Sequence, residues 1–379
     1  MSENNMRIRL SVKGVAVVAA LLAAASGAGA ALAAPGVHPA KAELSLVPLR
    51  QVGLGWSIVE YSAAKVSPHP TTGKTTLYAV SPQGRKFAFF SWPSVRPGLS
   101  SYFLVDWSGD GQRVLMANGY NKFEQISLAT GKVINRFKLP SSASAMSYTR
   151  PLGENILASF GSGSIRRYDL QGNLTKILTK TSQGAIESPD GTTVIVGTSY
   201  GVEQVSNVGG VLKRLHVPVA VFGCSPDRWW SANTVLATCG AKRGTGSPRL
   251  WLIPISGGRA KALTAQRNGH GPDLGDIDAW KLTTGVYLQA LGPCGVEFIA
   301  TQSRDGSAHR VPVPGVHFAS DHIVTGTGSS LLVQADSGCG GGASLVWFNT
   351  RTEKVTWLFH PPADIAGVES VAPFGRPVS

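Results

Sequence analysis

Leu104-Val105-Asp106-Trp107-Ser108-Gly109-Asp110-Gly111-Gln112-Arg113-Val114-Leu115-Met116 reads as an apolar strand, a polar turn and a second apolar strand. The turn has a chemical basis, because Ser and Asp bond local backbone amides and Gly takes the positive φ that other residues resist. Ser188-Pro189-Asp190-Gly191 repeats it 80 residues later, and looser copies stand at Arg150-Pro151-Leu152-Gly153-Glu154 and Ser231-Ala232-Asn233-Thr234. A second hairpin alternates with this unit: an apolar strand, a Gly-containing turn, another strand. Its turns fall at Gly84, Gly131, Gly172, Gly210, Gly258, Gly306 and Glu353, spaced by 47, 41, 38, 48, 48 and 47 residues. The strands before them include Leu77-Tyr78-Ala79-Val80, Phe123-Glu124-Gln125-Ile126 and Leu345-Val346-Trp347-Phe348.

Two hairpins per period make four strands, and a period of about 40 to 50 residues is the size of one propeller blade. Short alternating runs recur from Trp56 to Phe374, with no sustained 3.6-residue apolar pattern beyond the N-terminal segment. The pattern predicts an all-β fold, a seven-bladed β-propeller, with six or eight blades as the alternatives. Blade one lacks an innermost strand at the N-terminus. Val368-Glu369-Ser370-Val371-Ala372-Pro373-Phe374 is expected to supply it by pairing with the strand that begins at Trp56, closing the ring.

Composition agrees. Of 379 residues, 43% are apolar, with nine Trp and thirteen Phe, which excludes disorder. The 45 glycines keep no three-residue register, which excludes collagen. A single layered core stops growing near roughly 250 to 300 residues, so this length calls for two domains or a modular repeat.

The segments Ser188-Pro189-Asp190-Gly191-Thr192 and Asp106-Trp107-Ser108-Gly109-Asp110-Gly111 resemble the repeats of TolB-like, or WD40-like, propellers. Over roughly residues 50 to 375 the chain is similar to secreted actinobacterial TolB-like proteins, a resemblance that implies a fold more than an activity. It departs from TolB, which carries an α/β domain before a six-bladed propeller. A Tol-type envelope role does not transfer.

Residues 1–33 read as a signal peptide: Arg7, Arg9 and Lys13 precede the uncharged stretch 14–34, and Ala31 and Ala33 place cleavage before Ala34. Residues 34–50 read as a linker and 51–379 as a single TolB-like propeller domain. An uncleaved anchor is the rival reading of the N-terminal stretch. The expected location is extracellular or envelope-associated, with no integral membrane segment after cleavage. Cys224, Cys239, Cys294 and Cys339 lack metal-site spacing and suggest two disulfides in an exported chain. Cys224 and Cys239 flank the turn at 231–234, which sets them opposite each other. Cys294 and Cys339 fall in equivalent connections of neighbouring blades and are expected to pair.

Candidate chemistry is sparse. Gly197-Thr198-Ser199-Tyr200-Gly201 matches a nucleophile elbow by letter, but that motif needs a strand-turn-helix and here lies between strands. Trp107, Tyr148, Trp230 and Trp280 stand at equivalent places near the ends of innermost strands. With Arg150, Asp276 and Asp278 they are candidates to bind a sugar or peptide along the channel, against the ordinary reading that such rings pack between blades. Asp273, Asp276 and Asp278 are candidate Ca²⁺ ligands, although Asp is also a turn former and no other cofactor is indicated. The formal charge is +13 overall and spread without a run longer than a pair, so nucleic acid is not an expected partner while anionic envelope polymers are. The resulting expectation is a monomeric, exported binding or scaffold protein presenting a propeller face to a protein, peptide or envelope polysaccharide. The alternative is a lyase or hydrolase with polar residues converging at the channel mouth.

Overall fold

A computed structural model describes residues 47–63, 73–94, 102–218, 221–241, 247–267, 274–302, 308–316, 320–336, 343–360 and 367–375. The segment read as a signal peptide lies outside them. The chain forms seven four-stranded antiparallel sheets, one per blade. Blade 1 contains β1 (Ser57–Ala63), β2 (Gly73–Val80) and β3 (Lys86–Ser94). Blade 2 runs β4 (Tyr102–Trp107), β5 (Arg113–Asn118), β6 (Lys122–Ser127) and β7 (Val133–Lys138). Blade 3 runs β8 (Ala143–Tyr148), β9 (Ile156–Phe160), β10 (Ile165–Tyr168) and β11 (Leu174–Thr179). Blade 4 has β12 (Ala185–Glu187), β13 (Thr193–Thr198), β14 (Gly201–Ser206) and β15 (Val211–His216). Blade 5 has β16 (Val221–Ser231), β17 (Thr234–Ala241), β18 (Arg249–Pro254) and β19 (Lys261–Ala262). Blade 6 has β20 (Gly275–Leu282), β21 (Gly285–Leu291), β22 (Glu297–Gln302) and β23 (Ala308–Arg310). Blade 7 has β24 (Ser320–Thr327), β25 (Ser330–Asp336), β26 (Ser344–Asn349) and β27 (Lys354–Phe359). The last strand, β28 (Gly367–Pro373), is the innermost strand of blade 1, pairing antiparallel with β1 from Ser57↔Pro373 to Ser62↔Gly367.

The middle strands of the sheets are buried on both sides, because each faces another blade. Seven apolar clusters result, one per seam between blades. Neighbouring residues on one strand serve opposite seams: Ile58 packs toward blade 2 and Val59 toward blade 7, while Val235 and Leu236 divide between blades 4 and 6. This is why the middle strands read as continuous apolar runs rather than strict alternations. Val47 and Leu49, in the segment read as linker, pack with Trp56 in the seam of blades 1 and 2.

The two repeated polar turns fold alike. Ser108 Oγ donates to Asp110 Oδ1 at 2.5 Å and Ser188 Oγ to Asp190 Oδ1 at 2.6 Å. The same hydroxyls accept from the amides of Arg113 at 2.9 Å and Thr193 at 3.0 Å. The outer turn glycines have a second role beyond positive φ. Gly131, at φ 60°, sits so close to blade 1 that a Cβ there would overlap the Phe89 carbonyl oxygen. Gly172 meets Phe137 of blade 2 in the same way, its ideal Cβ lying 2.7 Å from that side chain. The seventh turn carries Glu353 in the glycine's place, still at φ 56°.

Candidate functional site

The innermost strands concentrate acidic groups: Asp106, Glu187, Asp227, Asp276, Asp278, Asp321 and Glu369 lie on them, against only Arg228 and Lys281. The seven outermost strands reverse this, with Lys86, Arg136, Lys138, Lys176, Lys213, Arg214, Lys261, Arg310 and Lys354 and no Asp or Glu. Charge is therefore sorted radially, acid at the hub and base at the rim.

The hub polar groups stitch blades together, and every seam has one. Glu60 Oε2 accepts from the Leu104 amide at 3.0 Å and from Ser370 Oγ at 2.7 Å, joining blades 1 and 2. Asp106 Oδ2 accepts from the Tyr148 amide at 2.8 Å, joining blades 2 and 3. Glu187 of blade 4 accepts from the Arg150 amide at 2.6 Å and from Arg167 Nη2 at 2.7 Å, both in blade 3. Trp229 Nε1 of blade 5 donates to the Glu187 carbonyl at 2.8 Å. Thr238 Oγ1 donates to Asp227 Oδ2 at 2.6 Å and lies 3.1 Å from the Ile277 carbonyl, so the hydroxyl spans blades 5 and 6. Gln289 donates to the Asp321 carbonyl at 2.8 Å and accepts from the Ile323 amide at 2.6 Å, joining blades 6 and 7. Gln334 Nε2 donates to the Val368 carbonyl at 3.3 Å, returning from blade 7 to blade 1.

Burial sets the electrostatics. It pushes Glu60 up to about 7 and Glu187 also to about 7, the latter against the pull of the Arg150 amide and the Arg167 charge. Asp321 rises to about 6 for the same reason, opposed by Arg310. Perturbed acids of this kind mark active sites in enzymes, but buried structural networks perturb them as well. The side chains of the Asp106, Arg150, Glu187 and Arg167 cluster are exposed by only 6%, 14%, 3% and 13%.

The candidate residues read from sequence are placed as follows. Trp107, Tyr148, Trp230 and Trp280 are buried in four different seams, and Trp107 packs edge-on to Phe374 at 4.9 Å. Arg150 lies 3.5 Å from Asp106. Asp278 takes both Nε, at 2.9 Å, and Nη2 of Arg228, whose guanidinium stands 3.6 Å over the Trp280 ring. Asp276 lies 4.0 Å from Arg267 Nη2. Asp273 is outside the described residues, among which no three His, Cys, Asp or Glu groups converge as a metal site. Ser199 occupies the two-residue turn between β13 and β14, with strand on both sides. Cys224 and Cys239 form a disulfide directly across β16 and β17, while Cys339 and the side chain of Cys294 lie outside the described residues.

Glu60, Thr238, Gln289 and Gln334 went unread in the sequence. A signal was present, since Val286-Tyr287-Leu288-Gln289 and Leu331-Leu332-Val333-Gln334 each end an apolar run with Gln, 45 residues apart. A polar residue repeated at a fixed place in buried strands implies a buried hydrogen-bond partner.

No family model matches the chain, and no curated protein matches it. Among solved structures it is similar to a putative 6-phosphogluconolactonase from Bacteroides uniformis, at TM-score 0.52 and 14% identity over 83% of this chain and 98% of that one. It is also similar to a prolyl endopeptidase, at TM-score 0.53 and 11% identity over 81% of this chain, which spans about half (51%) of that one. The dihydro-heme d1 dehydrogenase NirN matches at TM-score 0.51 and 12% identity over 86% of this chain and 76% of the other. At these identities the likeness is one of fold: the seven blades are the structure's own, and the neighbours are of propeller type.

Proposed function

We propose that the protein is an exported binding module whose basic rim holds an anionic partner at the cell envelope: a protein, a peptide or a polysaccharide. The observation that carries this reading is the radial sorting of charge, with nine Lys or Arg and no acid on the outermost strands. Such a belt attracts polyanions and is screened by salt. The hub supports the same reading, because the carboxylates of Glu60, Asp106, Glu187 and Asp278 already bond neighbouring blades. The Cys224–Cys239 disulfide suits an oxidising compartment. Among the described residues no helix is long and apolar enough to cross a membrane.

The test is a pull-down from native envelope with the purified mature protein. An acidic component retained at low salt and released by added salt is the expected result; recovery of nothing, or of a salt-insensitive neutral partner, overturns the reading. N-terminal analysis of the exported protein checks cleavage before Ala34. Glu187, raised to about 7 beside Arg150 and Arg167, favours a second reading as an enzyme. In that case Glu187→Gln abolishes turnover of a substrate while leaving the fold intact.

A further inference from the structure

Blade 2 carries an arrangement that blade stability does not explain. Lys122 of β6 and Lys138 of β7 are exposed and directly opposite in register, and the next same-side pair is Glu124↔Arg136. Like charges placed directly opposite on neighbouring strands destabilise a sheet. With Asn118 these residues line an open groove of about 470 Å³, within the size range of ligand pockets.

The groove contains one acid, and that acid is engaged. Glu124 Oε1 accepts from Tyr102 Oη at 3.2 Å, Asn118 Nδ2 at 3.3 Å and Arg136 Nε at 3.0 Å. The Glu124 side chain is 6% exposed and that of Arg136 69%, so a buried, triply held carboxylate grips the guanidinium by its inner nitrogen. The two outer nitrogens of Arg136 make no hydrogen bond among the described residues. A guanidinium fixed in this way presents a planar fork matched to an oxyanion, and two lysines flank it. Tyr120, on the turn that joins the groove's Asn118 to Lys122, is 90% exposed and offers a flat face of the kind that sugar rings cover.

We infer that this groove binds the oxyanion of an acidic saccharide, a carboxylate or a phosphate, with Arg136 as the fork and Lys122 and Lys138 as its flanking cations. The anion relieves the Lys122–Lys138 repulsion, which gives the otherwise unfavourable pair a purpose. Glu124 is a positioning residue that acts through Arg136. The inference rests on the binding-module reading and makes it specific to one blade and one ligand chemistry.

Calorimetric titration of the full mature chain with oligogalacturonate, with a glycerol-phosphate oligomer, with polyglutamate and with a neutral oligosaccharide of equal length tests it. At least one acidic probe is expected to bind and the neutral one not; which acidic probe binds identifies the source of the oxyanion. Arg136→Gln, and the double change Lys122→Gln with Lys138→Gln, should each weaken binding at least tenfold, while Arg351→Gln, at an exposed position in the turn before the outermost strand of blade 7, leaves it unchanged. Without ligand the double variant should melt no lower than the wild type, because it removes a repulsion. Binding of neither acidic probe, equal loss in the Arg351 variant, or binding of polyglutamate alone overturns the inference. An acidic envelope component recovered by a protein that binds neither acidic probe would sink the groove and leave the binding module standing.

Discussion

The Ser370 hydroxyl donates to the Glu60 carboxylate at 2.7 Å, joining two residues 310 positions apart at the point where the last strand closes the ring. Three parts of the chain meet there: β1 carries Glu60, β28 carries Ser370, and β4 presents the Leu104 amide to the same carboxylate oxygen.

That junction is expected to titrate. Burial raises Glu60 from 4.5 to about 7, so the folded ring holds this proton more tightly than the unfolded chain does. The resulting stabilisation is complete below about pH 4.5 and is lost as pH rises through 7, with a ceiling of about 3 kcal/mol at 1.36 kcal/mol per unit. Glu187 and Asp321 act in the same direction. Urea denaturation from pH 4 to 8 should show stability falling with pH, and Glu60→Gln should flatten part of that slope. A variant curve parallel to the wild type would show that Glu60 is not responsible.

Gln289 satisfies a buried carbonyl and a buried amide of the next blade at once. Gln289→Leu keeps the bulk and removes both partners, leaving the Asp321 carbonyl and Ile323 amide unpaired, at about 1 to 3 kcal/mol for each group. The expected loss is about 2 to 6 kcal/mol in equilibrium denaturation. A loss below 0.5 kcal/mol, on the order of a neutral surface change, would mean that water replaces the side chain.

The outer turns predict opposite signs for two substitutions. Gly131→Ala puts a Cβ into the Phe89 carbonyl at φ 60° and should destabilise by about 2 to 4 kcal/mol. Glu353→Gly removes a side chain from a left-handed backbone at φ 56° and should raise stability by about 0.5 to 1 kcal/mol, the αL penalty less the glycine entropy. Melting curves of both variants decide the matter, and a stabilised Gly131→Ala would contradict the close blade contact.

The disulfide closes a loop between positions separated by 15 residues, which in the chain-entropy model corresponds to about 3 kcal/mol. Replacing Cys224 and Cys239 together by Ala should lower stability by about 2 to 3 kcal/mol. Non-reducing peptide mapping should recover the 224–239 link and, as the sequence leads one to expect, a second link between 294 and 339. A 224–294 or 224–339 peptide would refute both assignments.

The ring was legible in the sequence because each blade repeats its turn chemistry. Ser108 and Ser188, Gly131 and Gly172, and the unpartnered strand at 368–374 mark position by residue type, and local geometry enforces each. The seam groups were not legible in the same way. Glu60, Gln289 and Gln334 find their partners on a different blade, and a single strand does not show which blade face a side chain enters. Consecutive tryptophans illustrate the same limit: Trp229 packs toward blade 4 and Trp230 toward blade 6. The blade 2 groove was hidden because Lys122 and Lys138 become neighbours only once β6 and β7 are in register.

Among the described residues each outermost strand has a ladder partner on one side of its backbone only, which leaves seven places where another β-sheet could add on. At every one of them stands a lysine or arginine with no acid on the same strand. Two copies meeting edge to edge would bring like charges together, whereas an anionic partner would not meet that barrier. If the rim binds as proposed, it would act as a filter, the same charges opposing self-association at the strand edges and favouring a partner of opposite sign.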